Sequence, residues 1–271
     1  MTALTLQSSG THSPRPGGPA ASSPHTPCGK ACAPAEKACA GECSWLFAGS
    51  PRQVHDQLRQ ASRTVRYRTD QLLFHEGEPG FGLYLICAGK VKLTKRTPSG
   101  KRLILQLRGP GDVLGAETAF GGDAYIADAQ ALEDVTMHFI EKNAFLALME
   151  HAPRMALRLI QDLSQDLRLC QSKLIETAYE SGQERLAHAL MSIARRYGLP
   201  RPQGVELGLE LTRGELAELA GLTAETTIRI LSKLHKRGWI ALSGSRILLL
   251  DVKAVEGLIE PGLDVMVRRP L

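Results

Sequence analysis

The sequence is poor in aromatic residues and has no long apolar run, and each lack excludes a class of protein. Aromatic side chains make up 5% of the 271 residues, so we expect aliphatic cores. No apolar stretch approaches the roughly 20 residues that a transmembrane helix needs, and the N-terminus lacks the apolar core of a secretory signal. The sequence therefore predicts a cytoplasmic protein with no membrane partner.

Acidic residues are missing from the first 27 positions, which are rich in Ser, Thr, Pro, Gly and Ala. Such a composition predicts a disordered tail over residues 1–27. The whole chain carries a formal net charge of +5, which suits a polyanionic partner but is weak support by itself. No nucleophile–base pair, Walker loop or dinucleotide fingerprint is present, so the sequence does not indicate an enzyme.

Four of the six cysteines lie within sixteen residues, at Cys28, Cys32, Cys39 and Cys43. Cytosolic thiol pools keep cysteines reduced, which favours metal binding over disulfides. Four soft thiolates at this short spacing can close around one metal centre, either an iron–sulfur cluster or a tetrahedral zinc ion. Residues 28–47 are therefore predicted to be a metal or cluster segment that precedes the folded domains.

Short β segments separated by glycine-containing turns follow, from about residue 64 to residue 141. This regularity predicts a small antiparallel barrel or roll, which we assign to residues 48–141. The segments that we interpret as strands are 65–74, 82–89, 90–96, 101–107, 112–117, 124–132 and 136–140.

The period changes at Lys142, and no internal glycine occurs before about Tyr179. We predict a dimerisation helix over 142–180. Its apolar residues alternate gaps of three and four, which is the seam of a coiled coil between two copies. The seam residues are Ile160, Leu163, Leu167, Cys170 and Leu174. The alternative is a helix that packs on its own barrel.

The last predicted domain, 181–271, contains a helix-turn-helix signature. Thr212 and Glu215 form a capping box for a short helix, and Gly221 supplies the positive φ of a tight turn. Thr223 then caps a second helix, over 224–237. Residues 240–242 and 246–250 are predicted to form a hairpin, and hence a wing.

The second helix of this motif has an outward face that suits DNA. Glu225 can accept from cytosine N4, and Arg229, four residues later, can bind guanine O6 and N7. The alternative is a simple Glu–Arg pair on a solvated helix. The basic residues nearby suit phosphates. The candidate DNA contacts are Arg213, Thr223, Glu225, Thr226, Arg229, Lys233 and Arg246.

The segment TRGELAELAGLTAETTIRILSKLHKRGWI, with FHEGEPGFGLYLICAGKVKL and RGPGDVLGAETAF in the roll, resembles the CRP/FNR family of bacterial transcription regulators. The resemblance implies an α+β fold with an N-terminal antiparallel β-roll of the cyclic-nucleotide-binding type, a long dimerisation helix and a C-terminal winged helix-turn-helix. It also implies a homodimer on inverted repeats of double-stranded DNA. Glu225 and Arg229 match the base-reading residues of the family. RNA polymerase is an expected partner, with loops 97–100 and 115–123 as candidate contacts.

The resemblance also bears on the effector. Cyclic-AMP binders have a Gly-Glu-Leu phosphate loop followed by an Arg-Ser pair, where this chain has 115–118 (GAET) and 125–126 (YI). The cation for a cyclic phosphate is missing, and Glu117 would repel one, so we expect no cyclic nucleotide.

The FNR subgroup instead places cysteines ahead of the roll, as this chain does. We therefore expect a [4Fe–4S] cluster on Cys28, Cys32, Cys39 and Cys43, responding to oxygen, nitric oxide or redox state. In a second ligand set, His138 or Cys87 replaces one of the four. Structural zinc and a thiol–disulfide switch are the alternatives to a cluster. An iron–sulfur protein or a ligand-binding protein that does not bind DNA is the alternative to a regulator.

Overall fold

The computed structural model describes residues 52–122 and 124–259. Within these ranges the chain folds in the predicted order, as a β-roll, a long helix and a winged helix-turn-helix, so the α+β fold class is confirmed. The predicted tail at 1–27 and the cysteine segment at 28–47 lie outside the described residues. So do residues 48–51 of the predicted roll domain and residues 260–271.

The described residues form eight helices and twelve strands. The helices are α1 (Arg52–Ala61), α2 (Ala116–Phe120), α3 (Lys142–His151), α4 (Pro153–Tyr179), α5 (Gly182–Tyr197), α6 (Arg213–Ala220), α7 (Ala224–Lys236) and α8 (Val252–Glu256). The strands are β1 (Ser62–Tyr67), β2 (Leu72–Phe74), β3 (Gly82–Ala88), β4 (Val91–Arg96), β5 (Arg102–Arg108), β6 (Val113–Leu114), β7 (Asp128–Ala131), β8 (Val135–Glu141), β9 (Gly198–Arg201), β10 (Gly204–Leu207), β11 (Ile240–Ser243) and β12 (Arg246–Leu249).

Two four-stranded sheets form the roll, with strand orders β1-β8-β3-β6 and β2-β7-β4-β5 and antiparallel pairing throughout. Aromatic rings fill the space between them: Phe74 stacks on Tyr125 with centroids 3.8 Å apart, and Tyr84 packs on Phe139 at 5.0 Å. Burial raises the pKa of Tyr84 and of Tyr125 to about 12. The expectation of aliphatic cores holds only in part for the roll, because five aromatic residues share its interior with aliphatic side chains.

The outer face of the β1-β8-β3-β6 sheet is covered by α1, α3 and the first turns of α4. One buried cluster joins all of these elements. It includes Val54, Leu58, Leu83, Leu85, Ile140, Phe145, Leu148, Met155 and Leu159. The chain that carries the cysteines therefore enters the described fold at α1, which shares its apolar core with the start of α4.

The predicted continuous helix over 142–180 is two helices, α3 and α4, separated at Ala152. Pro153 has no backbone N–H to donate, so it cannot continue α3, whereas the first helical position of α4 tolerates it. Three other predictions need correction. The segment 65–74 is two strands, with Asp70 between them at φ 65°. The segment 112–117 becomes helical after Gly115. The predicted loop at 198–204 forms most of the β9–β10 hairpin.

A separate core holds the C-terminal domain together, in which α5, α6 and α7 pack on a sheet of order β11-β12-β10-β9. Leu190, fully buried on α5, and Leu234 of α7 belong to this core. Leu107 and Leu132 of the roll pack against it, so the roll and the C-terminal domain are in contact. No helix in the described ranges is long and apolar enough to cross a membrane.

Candidate nucleic-acid interface

Helix α6, a three-residue turn and α7 form the helix-turn-helix, and each predicted local signal is present. Thr212 Oγ1 accepts from the Glu215 amide at 3.1 Å, and Glu215 Oε2 accepts from the Thr212 amide at 2.8 Å. Gly221 has φ 64°, which closes α6 and turns the chain. Thr223 Oγ1 then accepts from the Thr226 amide at 3.2 Å and caps α7. The capping residues therefore fix where each helix begins, and Gly221 fixes where α6 ends.

Helix α7 separates its apolar and polar side chains as predicted. The inward face is buried in the domain core and consists of Thr227, Ile230, Leu231 and Leu234. Glu225, Arg229 and Lys233 are exposed on the other side, and Thr226 is half-buried. In the described residues no ion pair joins Glu225 to Arg229, so the solvated Glu–Arg pair of the alternative interpretation is not formed. Both side chains remain available to base edges.

The cap and the third turn of α7 make polar contacts of their own. The Thr223 hydroxyl donates to Thr226 Oγ1 at 3.0 Å, so both predicted DNA contacts lie at the N-terminal end of the helix. Lys233 Nζ donates to Gln183 Oε1 at 3.3 Å, which steadies an exposed ammonium group. Beyond the helix, the Arg237 guanidinium lies over the Trp239 ring at 4.8 Å.

Two of the predicted DNA contacts, Arg213 and Arg246, are held by hydrogen bonds between the wing and residues around the start of α6. Arg213 Nη2 donates to the Gly244 carbonyl at 2.9 Å, which ties the start of α6 to the wing turn. Arg246 Nε donates to Glu210 Oε1 at 2.8 Å, and the Ser245 hydroxyl donates to the same carboxylate at 3.0 Å. Hydrogen bonds from Arg246 and Ser245 lower the pKa of Glu210. Sequence reasoning missed Glu210 because it lies outside the motif.

The predicted seam residues lie on one exposed side of α4. The exposed set is Ile160, Leu163, Leu167, Cys170 and Leu174, and Leu157, Ile175 and Tyr179 add to it. Leu167, for example, is 59% exposed. The only apolar residues that α4 buries in its own chain are two in its first turns, Met155 and Leu159. An exposed apolar row of this length is the mark of an interaction surface.

An ionic network that the sequence did not reveal joins the roll to α4 and α5. Buried Arg108, at the end of β5, pairs with Asp166 and lies 3.9 Å from Asp162, both on α4. Asp112, in the following turn, pairs with Arg196 of α5. Burial alone would lower the pKa of Arg108, but the carboxylates of Asp166, Asp112 and Asp162 raise it. The network fixes the orientation of three elements at one corner of the roll.

The four clustered cysteines lie outside the described residues, and within those residues no group of three or more His, Cys, Asp or Glu could hold a metal. Cys87 is buried on β3, with Sγ 3.7 Å from the Leu85 carbonyl. His138 is buried on β8, with Nδ1 3.5 Å from the Thr64 hydroxyl. Both alternative ligands therefore belong to the sheet that α1 covers.

Comparison with known proteins agrees with this architecture. Residues 64–152 match a family model for the cyclic nucleotide-binding domain, and residues 184–258 match one for the Crp-like helix-turn-helix domain. The solved structure of FixK2 from Bradyrhizobium japonicum is similar, with a TM-score of 0.66 and 26% identity over 73% of this chain and 98% of that one.

The matches to two curated relatives cover most of each relative's length. The transcriptional activatory protein AadR of Rhodopseudomonas palustris is 30% identical over 75% of this chain and 84% of the relative. The CRP-like cAMP-activated global transcriptional regulator of Mycobacterium tuberculosis is 28% identical over 76% of this chain and 92% of the relative.

The roll, the long helix and the exposed polar face of α7, together with these matches, define a sequence-specific DNA-binding transcription regulator. The chain belongs to the CRP/FNR family, which confirms the resemblance found in the sequence.

Proposed function

We propose that this protein is a redox- or gas-responsive regulator whose DNA binding is controlled by a [4Fe–4S] cluster on Cys28, Cys32, Cys39 and Cys43. The observation that carries the proposal is the buried cluster that α1 shares, together with α3 and the sheet beneath them, with the first turns of α4. The last of the four cysteines, Cys43, lies nine positions before Arg52, where α1 begins. Val54 and Leu58 of α1 share a buried cluster with Met155 and Leu159 of α4. Order in the cysteine segment can therefore reach the helix with the exposed seam through this shared core, by way of α3.

The exposed row on α4 supports a homodimer. Among the described residues, Leu163 is 38% and Leu167 is 59% exposed, whereas α5 buries its apolar face almost completely. A second copy would bury both rows in a coiled-coil seam. Such a dimer presents two α7 helices to an inverted repeat, with half-site centres roughly 34 Å apart, one turn of DNA.

The donor set fits an iron–sulfur cluster. Four cysteine thiolates are the ligands that [4Fe–4S] centres use, and when bound such a cluster supplies a redox- and oxygen-sensitive iron centre. We expect ligation to fold residues 28–47 into a compact segment against α1 and the start of α4. Loss of ligation would release that segment and weaken the seam. A few kcal/mol of such coupling is enough to switch occupancy of an operator.

We further propose that the roll does not take a cyclic nucleotide, although one relative is named as cAMP-activated. The residues between 115 and 127 include no Lys or Arg to neutralise a phosphate. Glu117 lies there instead, and burial raises the pKa of its carboxyl. Tyr125 and Phe74 occupy the interior between the sheets. Isothermal titration with cyclic AMP should therefore give no heat of binding, whereas micromolar binding would refute this part of the proposal.

Iron, zinc and acid-labile sulfide measured on anaerobically purified protein test the cofactor. We expect a brown protein with four iron and four sulfide per chain and broad absorption near ~400 nm. The variant in which all four cysteines are serine should be colourless. A colourless wild type with stoichiometric zinc would establish the structural-zinc alternative. A colourless wild type free of metal, with thiols that oxidise reversibly, would establish the thiol–disulfide switch.

A further inference from the structure

The hairpin formed by β4 and β5 of the roll has a strongly basic tip. Its eight residues, 95–102, are all exposed and contain no acidic residue. The four cations of the tip are Lys95, Arg96, Lys101 and Arg102. Lys95 pairs with Glu76 at 3.0 Å, whereas no carboxylate in the described residues pairs with the other three. The tip therefore carries positive charge that its own chain does not neutralise.

This hairpin is fixed against the helix-turn-helix. Lys92 Nζ, on β4, lies 2.6 Å from Glu215 Oε1 on α6, and the Lys92 side chain is only 5% exposed. The same carboxylate caps α6 through Thr212, so one Glu215 serves both contacts. At the other end of α6, a Cβ placed on Gly221 would lie 3.8 Å from Leu103 of β5. Two points of contact hold the hairpin along the length of α6.

The register of the hairpin shows where its tip lies. Lys92 pairs with Leu107 across the two strands, and Lys95 pairs with Leu103, so the second pair is closer to the tip. From its base to its tip, the hairpin therefore runs in the same direction as α6 does from Glu215 to Gly221. The tip continues past the end of α6, beside the turn that leads into α7.

In helix-turn-helix complexes the N-terminal residues of the recognition helix contact base edges, so the duplex backbone passes close to this turn. Exposed, unpaired Lys and Arg side chains at such a position suit phosphate oxygens. We propose that the 95–102 tip is a second DNA-contacting element, in which Arg96, Lys101 and Arg102 bind phosphates while α7 reads bases. For residues 97–100 the duplex thus replaces RNA polymerase as the expected partner.

The salt dependence of binding tests this contact, with purified full-length protein, an inverted-repeat operator selected from random sequence, and no polymerase. The double variant Lys101→Gln/Arg102→Gln should lower the slope of log K against log salt by roughly 0.9 for each lost phosphate contact. With the affinity at 1 M salt unchanged, this slope corresponds to a roughly eightfold loss of affinity at 0.1 M salt for each lost contact. The loss should be equal on the operator and on unrelated duplex. The charge reversal Lys101→Glu/Arg102→Glu should lower the affinity for both duplexes further.

The variant Arg52→Gln/Arg59→Gln is the control for a general loss of two positive charges; Arg59 pairs with Asp56 at 3.4 Å. It removes the same charge from two exposed positions on α1, whose main contacts are with α3, β1 and β8. The control should keep the wild-type slope. An unchanged slope in both tip variants, or an equal loss in the control, would overturn the proposal. So would normal DNA binding with a loss of polymerase-dependent transcription, which would return the tip to polymerase. Every protein is purified and assayed anaerobically, so the cysteines are in the same state in the wild type and in each variant.

Discussion

Helices α4 and α7 are both amphipathic, but they leave opposite faces exposed. Helix α7 buries its apolar residues in its own domain and exposes Glu225, Arg229 and Lys233. Helix α4 buries few apolar residues beyond its first turns and exposes a row that includes Leu163 and Leu167. The chemistry of an exposed face identifies its partner: charges at a capped helix end suit a duplex, and a leucine row suits another leucine row.

The contrast also explains why one helix can control the other. The free energy that α7 gains on a single half-site is limited, since a good base contact contributes about 1–3 kcal/mol. Pairing two chains through α4 lets both α7 helices bind one duplex, and the second event becomes intramolecular. A signal that acts on the α4 seam therefore acts on DNA binding without touching α7.

The largest expected effect comes from breaking the exposed row on α4. Leu167→Asp places an unpaired carboxylate in each half of the seam, where burial costs several kcal/mol. We expect a monomer in analytical ultracentrifugation and a loss of operator affinity of roughly 100-fold or more, because about 2.8 kcal/mol corresponds to 100-fold. Since Leu167 is exposed within its own chain, the thermal stability of each domain should change little.

Gln161→Asp on α4 is the control for this change, since Gln161 is exposed and is not one of the apolar seam residues. It should remain a dimer that binds DNA. If Leu167→Asp also remains a dimer at micromolar concentration, the exposed row is not the seam and the contrast between α4 and α7 fails.

Arg229→Ala should have the next largest effect, on the charged face of α7. Loss of a bidentate contact to guanine should cost about 1–3 kcal/mol on the operator. The dimer should persist, and competition binding against single-base operator variants should show relaxed preference at one base pair per half-site. Unchanged preference at every position would show that α7 does not read bases through this side chain.

Lys236→Ala, at the C-terminal end of α7, should have a smaller and different effect. Lys236 is exposed and suits a phosphate, so its loss should weaken operator and unrelated duplex alike. The slope of log K against log salt should fall by roughly 0.9. If the loss were confined to the operator, Lys236 would be a base-reading residue. The assignment of base reading to the start of α7 and of phosphate binding to its end would then be wrong.

Thr223→Ala should have the smallest effect of these changes. It removes the cap of α7 and should lower the free energy of unfolding by about 1 kcal/mol. Thermal unfolding of the purified protein measures this loss. Thr223→Ser keeps a hydroxyl at the cap and should recover most of it. If the alanine variant were as stable as the serine variant, the cap would contribute nothing.

The sequence predicted the helix-turn-helix almost to the residue because its signals are local. Capping at Thr212 and Thr223, a left-handed Gly221 and an apolar period each depend on a few neighbouring residues. The strands of the roll were found for the same reason, since glycine turns separate them.

What the sequence could not predict depends on tertiary contacts. Helix α1 has just two buried residues, Val54 and Leu58, and is stabilised by packing on α3. The β9–β10 hairpin is mostly exposed and pairs because β12 provides an edge. The Lys92–Glu215 contact joins residues 123 positions apart. No local pattern identifies such a pair, although it places the roll beside the DNA-reading helices.

The central claim is that four thiols ahead of the roll decide whether two chains pair and bind DNA. The direct measurement is operator affinity and sedimentation of wild type and of the four-serine variant, each under anaerobic conditions and after exposure to air. We predict that the anaerobic wild type is a dimer that binds, that air converts it to a weakly binding monomer, and that the serine variant behaves like the air-exposed form throughout. Equal affinity and equal mass in all four samples would contradict the account.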